Sequence, residues 1–188
     1  MISNNANSTQ QFGLIVALAL RLEGGNSHLG KTAMQKLVYL IQETQGVPIG
    51  YEFTFYNHGP FSSDLAADLT YLDWVEAIDI SFATGRPGGF VIKSGPKAAH
   101  TLAEAGGFVD RYSGEIGRVL TDFGAMTAKE LELRATIVFV EKDYNRRGQG
   151  LDDESLALQV KELKPQFSPQ EIASAIKELR EKRYIESS

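Results

Sequence analysis

The segment KTAMQKLVYLIQ, residues 31–42, decides the predicted fold. Four of its apolar side chains recur at the i, i+3, i+4, i+7 spacing that places them on one face of an α-helix: Met34, Leu37, Val38 and Ile41. Gly46 and Gly50 follow soon after, and glycine commonly ends a helix. We therefore predict an amphipathic helix that begins near Lys31 and buries this face.

The segments on either side of this helix predict further elements. Residues 10–23, QQFGLIVALALRLE, are rich in Ala and Leu, which favours a helix, although their apolar side chains also alternate as in a strand. YEFTFY at 51–56 alternates as a short strand does, and Gly59-Pro60 is typical of a turn. Ser62 then caps a predicted helix that runs to Trp74.

The rest of the chain predicts one hairpin and a series of helices. VEAIDISF at 75–82 and GGFVIKS at 88–94 predict two strands joined by the turn segment ATGRPGG. From Pro96 onward the apolar spacing predicts only helices, at about 96–106, 108–121, 127–142, 152–163 and 169–182. The sequence Ser168-Pro169 with Glu171 is a typical start for the last of them.

This order of elements predicts the fold class. Helix, helix, short strand, helix and two-stranded hairpin is the order of a winged helix-turn-helix. We predict a mostly α protein of the α+β class with a flexible N-terminus at 1–10. A winged helix-turn-helix-like domain with a small β-hairpin wing follows at 11–107, and a C-terminal helical region at 108–188.

Composition limits the classes of function. The chain has 188 residues, 43% of them apolar, and no cysteine, so we expect one or two globular domains without disulfides, thiol nucleophiles or thiolate zinc sites, in the cytoplasm. No segment predicts membrane targeting or anchoring. Residues 1–75 carry three Lys/Arg against six Asp/Glu within a net charge of -5, so a large basic surface for nucleic acid is not expected.

The run GNSHLGKT fits the phosphate-binding pattern of P-loop proteins, with the candidate nucleotide ligands Gly25, Gly30, Lys31 and Thr32. A P-loop requires a buried strand directly before the first glycine and a parallel sheet around it. Here Arg21, Leu22 and Glu23 intervene, and only helices are predicted after Pro96. The favoured interpretation is a helix end followed by a helix start, and a P-loop enzyme is the second alternative.

Two longer stretches resemble a known family. LGKTAMQKLVYLIQ and YEFTFYNHGPFSSDLAADLTYL, together about residues 29–72, resemble small bacterial and archaeal proteins related to YwgA and, more distantly, the Panacea (SocA-like antitoxin) domain. The matching positions are Thr32, Met34, Gln35, Lys36, Leu37, Tyr56, Gly59, Pro60, Phe61 and Ser62. The resemblance implies a winged-helix-like core and roles in toxin-antitoxin, defence or regulatory systems without known catalysis.

The resemblance also implies a structural group of motif residues: Gln35, Lys36, Tyr56, His58, Gly59, Pro60 and Ser62. Within this group, His58 lies beside Gly59-Pro60 and next to Tyr56. We expect it to order the turn through a hydrogen bond with the backbone. Residues beyond about 108 match no motif of the family.

The helix from Ser62 to Trp74 is the candidate partner-binding element. It contains no Lys or Arg, and Asp64, Asp68 and Tyr71 fall on one stripe, which suits a basic protein partner better than DNA. The structural interpretation is that Asp64 favours the helix N-terminus and the stripe is solvated surface. We predict a non-catalytic regulatory or antitoxin-like module that binds a protein partner.

Winged-helix DNA binding is the first alternative. Its candidate contacts are Arg86, Lys93, Lys97, Lys182 and Arg183. Glu76 and Asp79 on the facing strand offer cross-strand pairs to the same basic residues, which is an equally good interpretation. The oligomeric state, including a homodimer, stays open.

No catalytic or metal-binding pattern is present in the sequence. His28, His58 and His100 lie in different segments, and none has a second ligand at metal-binding spacing. No nucleophile elbow or HExxH motif occurs. We therefore expect neither an enzyme nor a cofactor.

Overall fold

The computed structural model describes residues 3–24, 29–83 and 89–186, and these residues are mostly helical with two small antiparallel hairpins. The helices are α1 Ser3–Leu22, α2 Lys31–Gln45, α3 Ser63–Trp74, α4 Ala98–Glu104, α5 Phe108–Arg111, α6 Ser113–Phe123, α7 Ala128–Arg146, α8 Asp153–Leu163 and α9 Pro169–Glu181. The strands are β1 Thr54–Tyr56, β2 Gly59–Phe61, β3 Ile78–Ala83 and β4 Gly89–Ser94. The predicted α+β class is confirmed.

Helix α2 lies at the centre of the molecule. Every residue from Ala33 to Ile41 is buried, because α2 packs on α6 and α7 and also contacts α1, α3 and β4. Helix α1 is equally enclosed, with residues 14–19 all buried. A helix that is apolar on all sides belongs in a protein interior, which resolves the alternation of residues 10–23 in favour of a helix.

The first hairpin differs from the prediction. The predicted strand at 51–56 is shorter and pairs with β2, so that Thr54 lies opposite Phe61 and Tyr56 opposite Gly59. The turn falls on residues 57–58, directly before the Gly59-Pro60 that was predicted to turn the chain. The prediction was wrong here because a three-residue strand that contains Gly and Pro has the composition of a turn.

The second hairpin pairs β3 with β4 from Ile78 opposite Ser94 to Ala83 opposite Gly89. β1 pairs with β2 and not with this hairpin. The amide of Ile92 in β4 donates a hydrogen bond to the carbonyl of Leu29, at 2.7 Å, and so joins the hairpin to the segment that precedes α2.

Some predicted boundaries are also wrong. Helix α1 begins at Ser3, so helical structure extends into the segment 1–10, whose flexibility stays a prediction. The predicted helix at 108–121 is two helices that meet at Tyr112. The remaining C-terminal helices lie close to their predicted positions because caps mark their starts, as in the capping boxes of Thr127 with Glu130 and Ser168 with Glu171.

A single hydrophobic cluster contains residues from both sides of the predicted domain boundary at 107/108, including Leu14, Met34, Ile137 and Ile176. Helix α2 crosses that boundary through its contacts with α6 and α7. The division into two domains stays a prediction, and the shared core favours cooperative unfolding of both regions. Along the described part of the chain, no helix is long and apolar enough to cross a membrane.

The Ser168 cap provides a test of this shared core. Ser168→Ala removes the hydroxyl that accepts the Glu171 amide, and we expect it to lower the free energy of unfolding by about 1 kcal/mol. In a chain of this size the melting temperature should fall by about 2–4 °C in a single transition. Ser174→Ala, at an exposed position of the same helix, is the control and should change stability by less than about 0.5 kcal/mol. A separate early transition for the C-terminal helices would contradict the shared core.

Candidate functional site

The two motif segments meet in the interior, where side chains of α2 bond the backbone that leads into α3. Gln35 donates from Nε2 to the carbonyl of Ser62 at 2.8 Å, and its Oε1 accepts the Ser62 amide at 2.9 Å. Lys36 donates from Nζ to the carbonyl of Pro60 at 2.6 Å. We call Gln35, Lys36 and the backbone of residues 60–62 the α2 clasp. It satisfies polar groups that burial removes from water.

The clasp fixes where α3 begins. The Ser62 hydroxyl accepts the amide of Leu65 and so caps the helix, while the backbone of Ser62 is held by Gln35. Leu65, Leu69 and Leu72 then turn one face of α3 into the core. The contacts with α2 therefore fix the orientation of α3 and which of its other faces are exposed.

A buried charged cluster holds the β1–β2 turn from the opposite side. Lys164 is 2% exposed and donates from Nζ to the Asn57 carbonyl at 2.6 Å and to Glu132 Oε1 at 2.7 Å. Gln166 donates to the same carboxylate oxygen at 3.1 Å. Glu132 Oε2 lies 3.3 Å from Nδ1 of His58. The motif residues of the N-terminal half are thus completed by residues of α7 and of the segment after α8.

His58 was expected to order the turn through the backbone, and this prediction is wrong. Its partner is the carboxylate of Glu132, and the turn carbonyl of Asn57 is bonded by Lys164. Gly59 is buried with φ of +84°, a conformation that favours glycine. A Cβ at Gly59 would lie 2.8 Å from Thr136 Oγ1, so a side chain is also sterically excluded there.

The cluster is not balanced in formal charge. Lys36 and Lys164 are each 2% exposed, and the nearby buried carboxylate is that of Glu132. Burial lowers the pKa of Lys36 to about 8. The negative charge of Glu132 opposes this decrease in pKa, whereas the positive charge of Lys164 adds to it. The folded protein therefore disfavours the ammonium form of Lys36.

A cavity of about 330 Å³ adjoins the clasp between α2, the first hairpin and α3. Its lining consists of Lys31, Thr32, Gln35, Lys36, Tyr56, His58, Gly59, Phe61, Ala66, Leu69 and Thr70. The volume falls in the range of about 300–1,000 Å³ that is typical of small-molecule sites. Two motifs that lie apart in the sequence thus border the same cavity: the GKT segment and the glycine-proline segment.

The GNSHLGKT run lies in a different context from a P-loop. The preceding element is helix α1, and the sheets within the described residues are two-stranded and antiparallel. Gly30 is required because a Cβ there would lie 2.8 Å from the carbonyl oxygen of Phe90. Lys31 Nζ lies over the Phe90 ring, 4.4 Å from its centroid. Gly25 lies outside the described residues. The nucleotide alternative therefore lacks the strand and parallel sheet that it requires.

The predicted partner-binding stripe on α3 is only partly available. Asp64 is exposed, but Asp68 accepts a hydrogen bond from the Tyr51 hydroxyl at 2.6 Å, and burial raises the pKa of Asp68. Tyr71 is 46% exposed and its ring centroid lies 5.3 Å from that of Phe12. Trp74, the only tryptophan of the chain, is 79% exposed and lies 6.2 Å from Tyr71. An aromatic row thus extends from α1 to the end of α3.

The candidate DNA contacts are dispersed or paired with acids. Lys97 lies 3.1 Å from Glu76, and Lys182 lies 3.1 Å from Asp122 and 3.0 Å from Glu178. Lys93 lies directly opposite Asp79 in the β3–β4 register. Arg183 is exposed at the end of α9 with φ of +58°, while Arg86 lies outside the described residues. Of the candidates within the described residues, Lys97 and Lys182 therefore lie within ion-pair distance of carboxylates, and Lys93 lies opposite one.

Sequence reasoning missed Glu132, Lys164 and Trp74. The i, i+3 spacing of Tyr71 and Trp74 was a usable signal, since it places both rings on one face of a helix. No signal in the sequence pairs Lys164 with Asn57, because their contact spans 107 positions. Within residues 3–24, 29–83 and 89–186, no group of His, Asp and Glu has the arrangement of a metal site.

No protein-family model matches this chain, and no similar sequence is found among curated proteins. The resemblance of residues 29–72 to YwgA-related and Panacea proteins therefore stays a prediction.

The pKa of Lys36 predicts a specific pH dependence of stability. Because the ordinary value is 10.5 and the folded value is about 8, the unfolded chain binds more protons between these two pH values. The wild type should therefore gain stability relative to Lys36→Met as pH rises from 8 to 10, by about 2 kcal/mol. Urea unfolding of both proteins at several pH values measures this difference.

Lys177→Met is the matched control, because the Lys177 side chain is 78% exposed. Its stability relative to the wild type should stay constant over the same pH range. A constant difference for Lys36→Met as well would show that Lys36 is not buried as the structure places it.

Proposed function

We propose that this chain is a non-catalytic interaction module that binds a protein partner through the exposed face of α3. The face consists of Asp64, Tyr71 and Trp74, with Phe12 of α1 behind Tyr71. The observation that carries the proposal is the 79% exposure of Trp74 at the end of an aromatic row. The motif resemblance implies a regulatory or antitoxin-like role, and we include this role in the proposal.

The aromatic row supports an interface on energetic grounds. Covering an exposed aromatic side chain stabilises a complex by about 1.5–3 kcal/mol, and tryptophan and tyrosine dominate the binding energy of many interfaces. Trp74, Tyr71 and Phe12 are contiguous, whereas isolated exposed apolar residues are ordinary surface. Leu158, 60% exposed on α8, has only polar residues at i±3 and i±4, namely Glu154, Ser155, Lys161 and Glu162.

The surroundings of the row also suit a partner. A groove of about 440 Å³ lies at its base, with Phe12, Tyr71 and Val75 as apolar walls and α4 as its other side. An apolar centre with a polar rim is the usual anatomy of an interface. Helix α3 carries Asp64, Asp68 and Asp73 but no basic residue, so a partner segment with Lys or Arg near an apolar anchor fits best.

The two alternatives receive less support from the structure. DNA binding needs several free cations on one surface, whereas Lys97 and Lys182 are within reach of carboxylates. Nucleotide binding as a P-loop enzyme needs a parallel sheet, and the described strands form only antiparallel pairs.

Quantitative affinity capture from extracts of the source cells tests the proposal. We expect the wild type to retain one specific protein at stoichiometric amounts, and Trp74→Ala to bind it about 30-fold more weakly, as for a central interface residue. Asp64→Lys should weaken the same complex through charge reversal, and more strongly at low salt.

Leu158→Ala is the matched control for loss of exposed apolar surface, and it should retain the partner with less than threefold change, roughly 0.6 kcal/mol. Retention that is equal in wild type, Trp74→Ala and Asp64→Lys would contradict an interface on α3. Capture of DNA alone, abolished by moderate salt, would support the regulator alternative instead.

A further inference from the structure

The cavity beside the α2 clasp combines positive charge with an apolar wall. Lys31 and Lys36 are among its lining residues, and no Asp or Glu lines it within the part of the chain that the structure describes. This composition is unusual in a protein whose net charge is -5. The apolar part of the lining is formed by Phe61, Ala66 and Leu69.

The buried charges next to the cavity also favour the binding of an anion. Glu132 forms an ion pair with Lys164 at 2.7 Å, whereas Lys36 donates to the Pro60 carbonyl and interacts with the Glu132 charge only through space. One formal positive charge of this cluster therefore has no buried counter-charge of its own. Buried charges in proteins are ordinarily paired or bound to a ligand of opposite sign. An anion in the cavity would supply the missing charge beside Lys36.

We propose that this cavity binds a small organic anion, with its charged group near Lys31 and Lys36 and its apolar part against Phe61 and Leu69. Thr32 and Tyr56 offer hydroxyl groups along the same lining, and these can donate to carboxylate or phosphate oxygens. The volume of about 330 Å³ accommodates a ring-sized apolar group with one charged substituent.

The site is distinct from the proposed partner surface. Ala66, Leu69 and Thr70 line the cavity, whereas Asp64, Tyr71 and Trp74 do not, although Trp74 follows Thr70 by one turn of α3. Ligand binding therefore does not depend on the proposed function, and Trp74→Ala should leave it unchanged.

Three probes test the proposal by titration of the backbone amide spectrum: benzoate, phenyl phosphate and uncharged benzyl alcohol. We expect saturable shifts at α2 and α3 residues of the cavity with at least one anion. The affinity for benzyl alcohol should be lower than that for the anion by a factor of about ten or more, because charge-assisted hydrogen bonds are lost. The anion that binds more tightly identifies the head group as carboxylate or phosphate.

Two substitutions on neighbouring positions provide a matched pair. Ala66→Phe places a ring in the cavity and should weaken anion binding about tenfold or more, whereas Ala67→Phe, at the exposed next position, should leave it unchanged. Lys36→Met and Lys31→Ala should each weaken binding of the anions and not of benzyl alcohol. Since Lys31 is exposed, Lys31→Ala tests the charge even if Lys36→Met fails to fold.

The proposal is overturned by any of three results. These are the absence of saturable shifts with both anions, binding of benzyl alcohol as tight as that of the anions, or anion binding that is equal in Ala66→Phe and Ala67→Phe.

Discussion

The structure depends on how the backbone polar groups of residues 57–62 are satisfied, because Gly59, Pro60 and Ser62 in this stretch are buried. The β1–β2 hairpin has only three residues in each strand and cannot bond all of its own polar groups. Three side chains donate hydrogen bonds to its carbonyls: Gln35 to Ser62, Lys36 to Pro60 and Lys164 to Asn57. A buried polar group without a partner costs about 1–3 kcal/mol, so the contacts with the buried residues Pro60 and Ser62 remove a substantial penalty.

This constraint determines the position of α3 and hence of both candidate sites. Ser62 is at once the end of the clasp and the cap of α3, so the direction of the helix follows from the bonds made by Gln35. One face of α3 then closes the cavity and another presents Tyr71 and Trp74. The cost is a lysine buried with a lowered pKa and a cluster with excess positive charge. Lys36 lines the cavity, and this position of a buried cation is the basis of the proposed anion site.

Most of the helices could be predicted from the sequence because their signals are local. The apolar residues from Met34 to Ile41 are close together in the sequence, and so are the two members of the capping box, Ser168 and Glu171. Strand β2 was missed because Gly59-Pro60 has the composition of a turn, although the turn lies just before it. The partners of the motif could not be predicted, because Glu132 and Lys164 reach the turn only through the packing of α7 and the segment after α8.

The central claim is that α3, held by the clasp, presents Trp74 to a protein partner. Trp74 is the only tryptophan, so the fluorescence of the chain reports on this one position. The most direct measurement is its emission maximum during titration with an isolated partner that contains no tryptophan. Transfer of Trp74 from water to a protein interface should shift the emission to shorter wavelength, in parallel with complex formation. A complex that forms while the emission stays at its solvent-exposed wavelength would contradict the account.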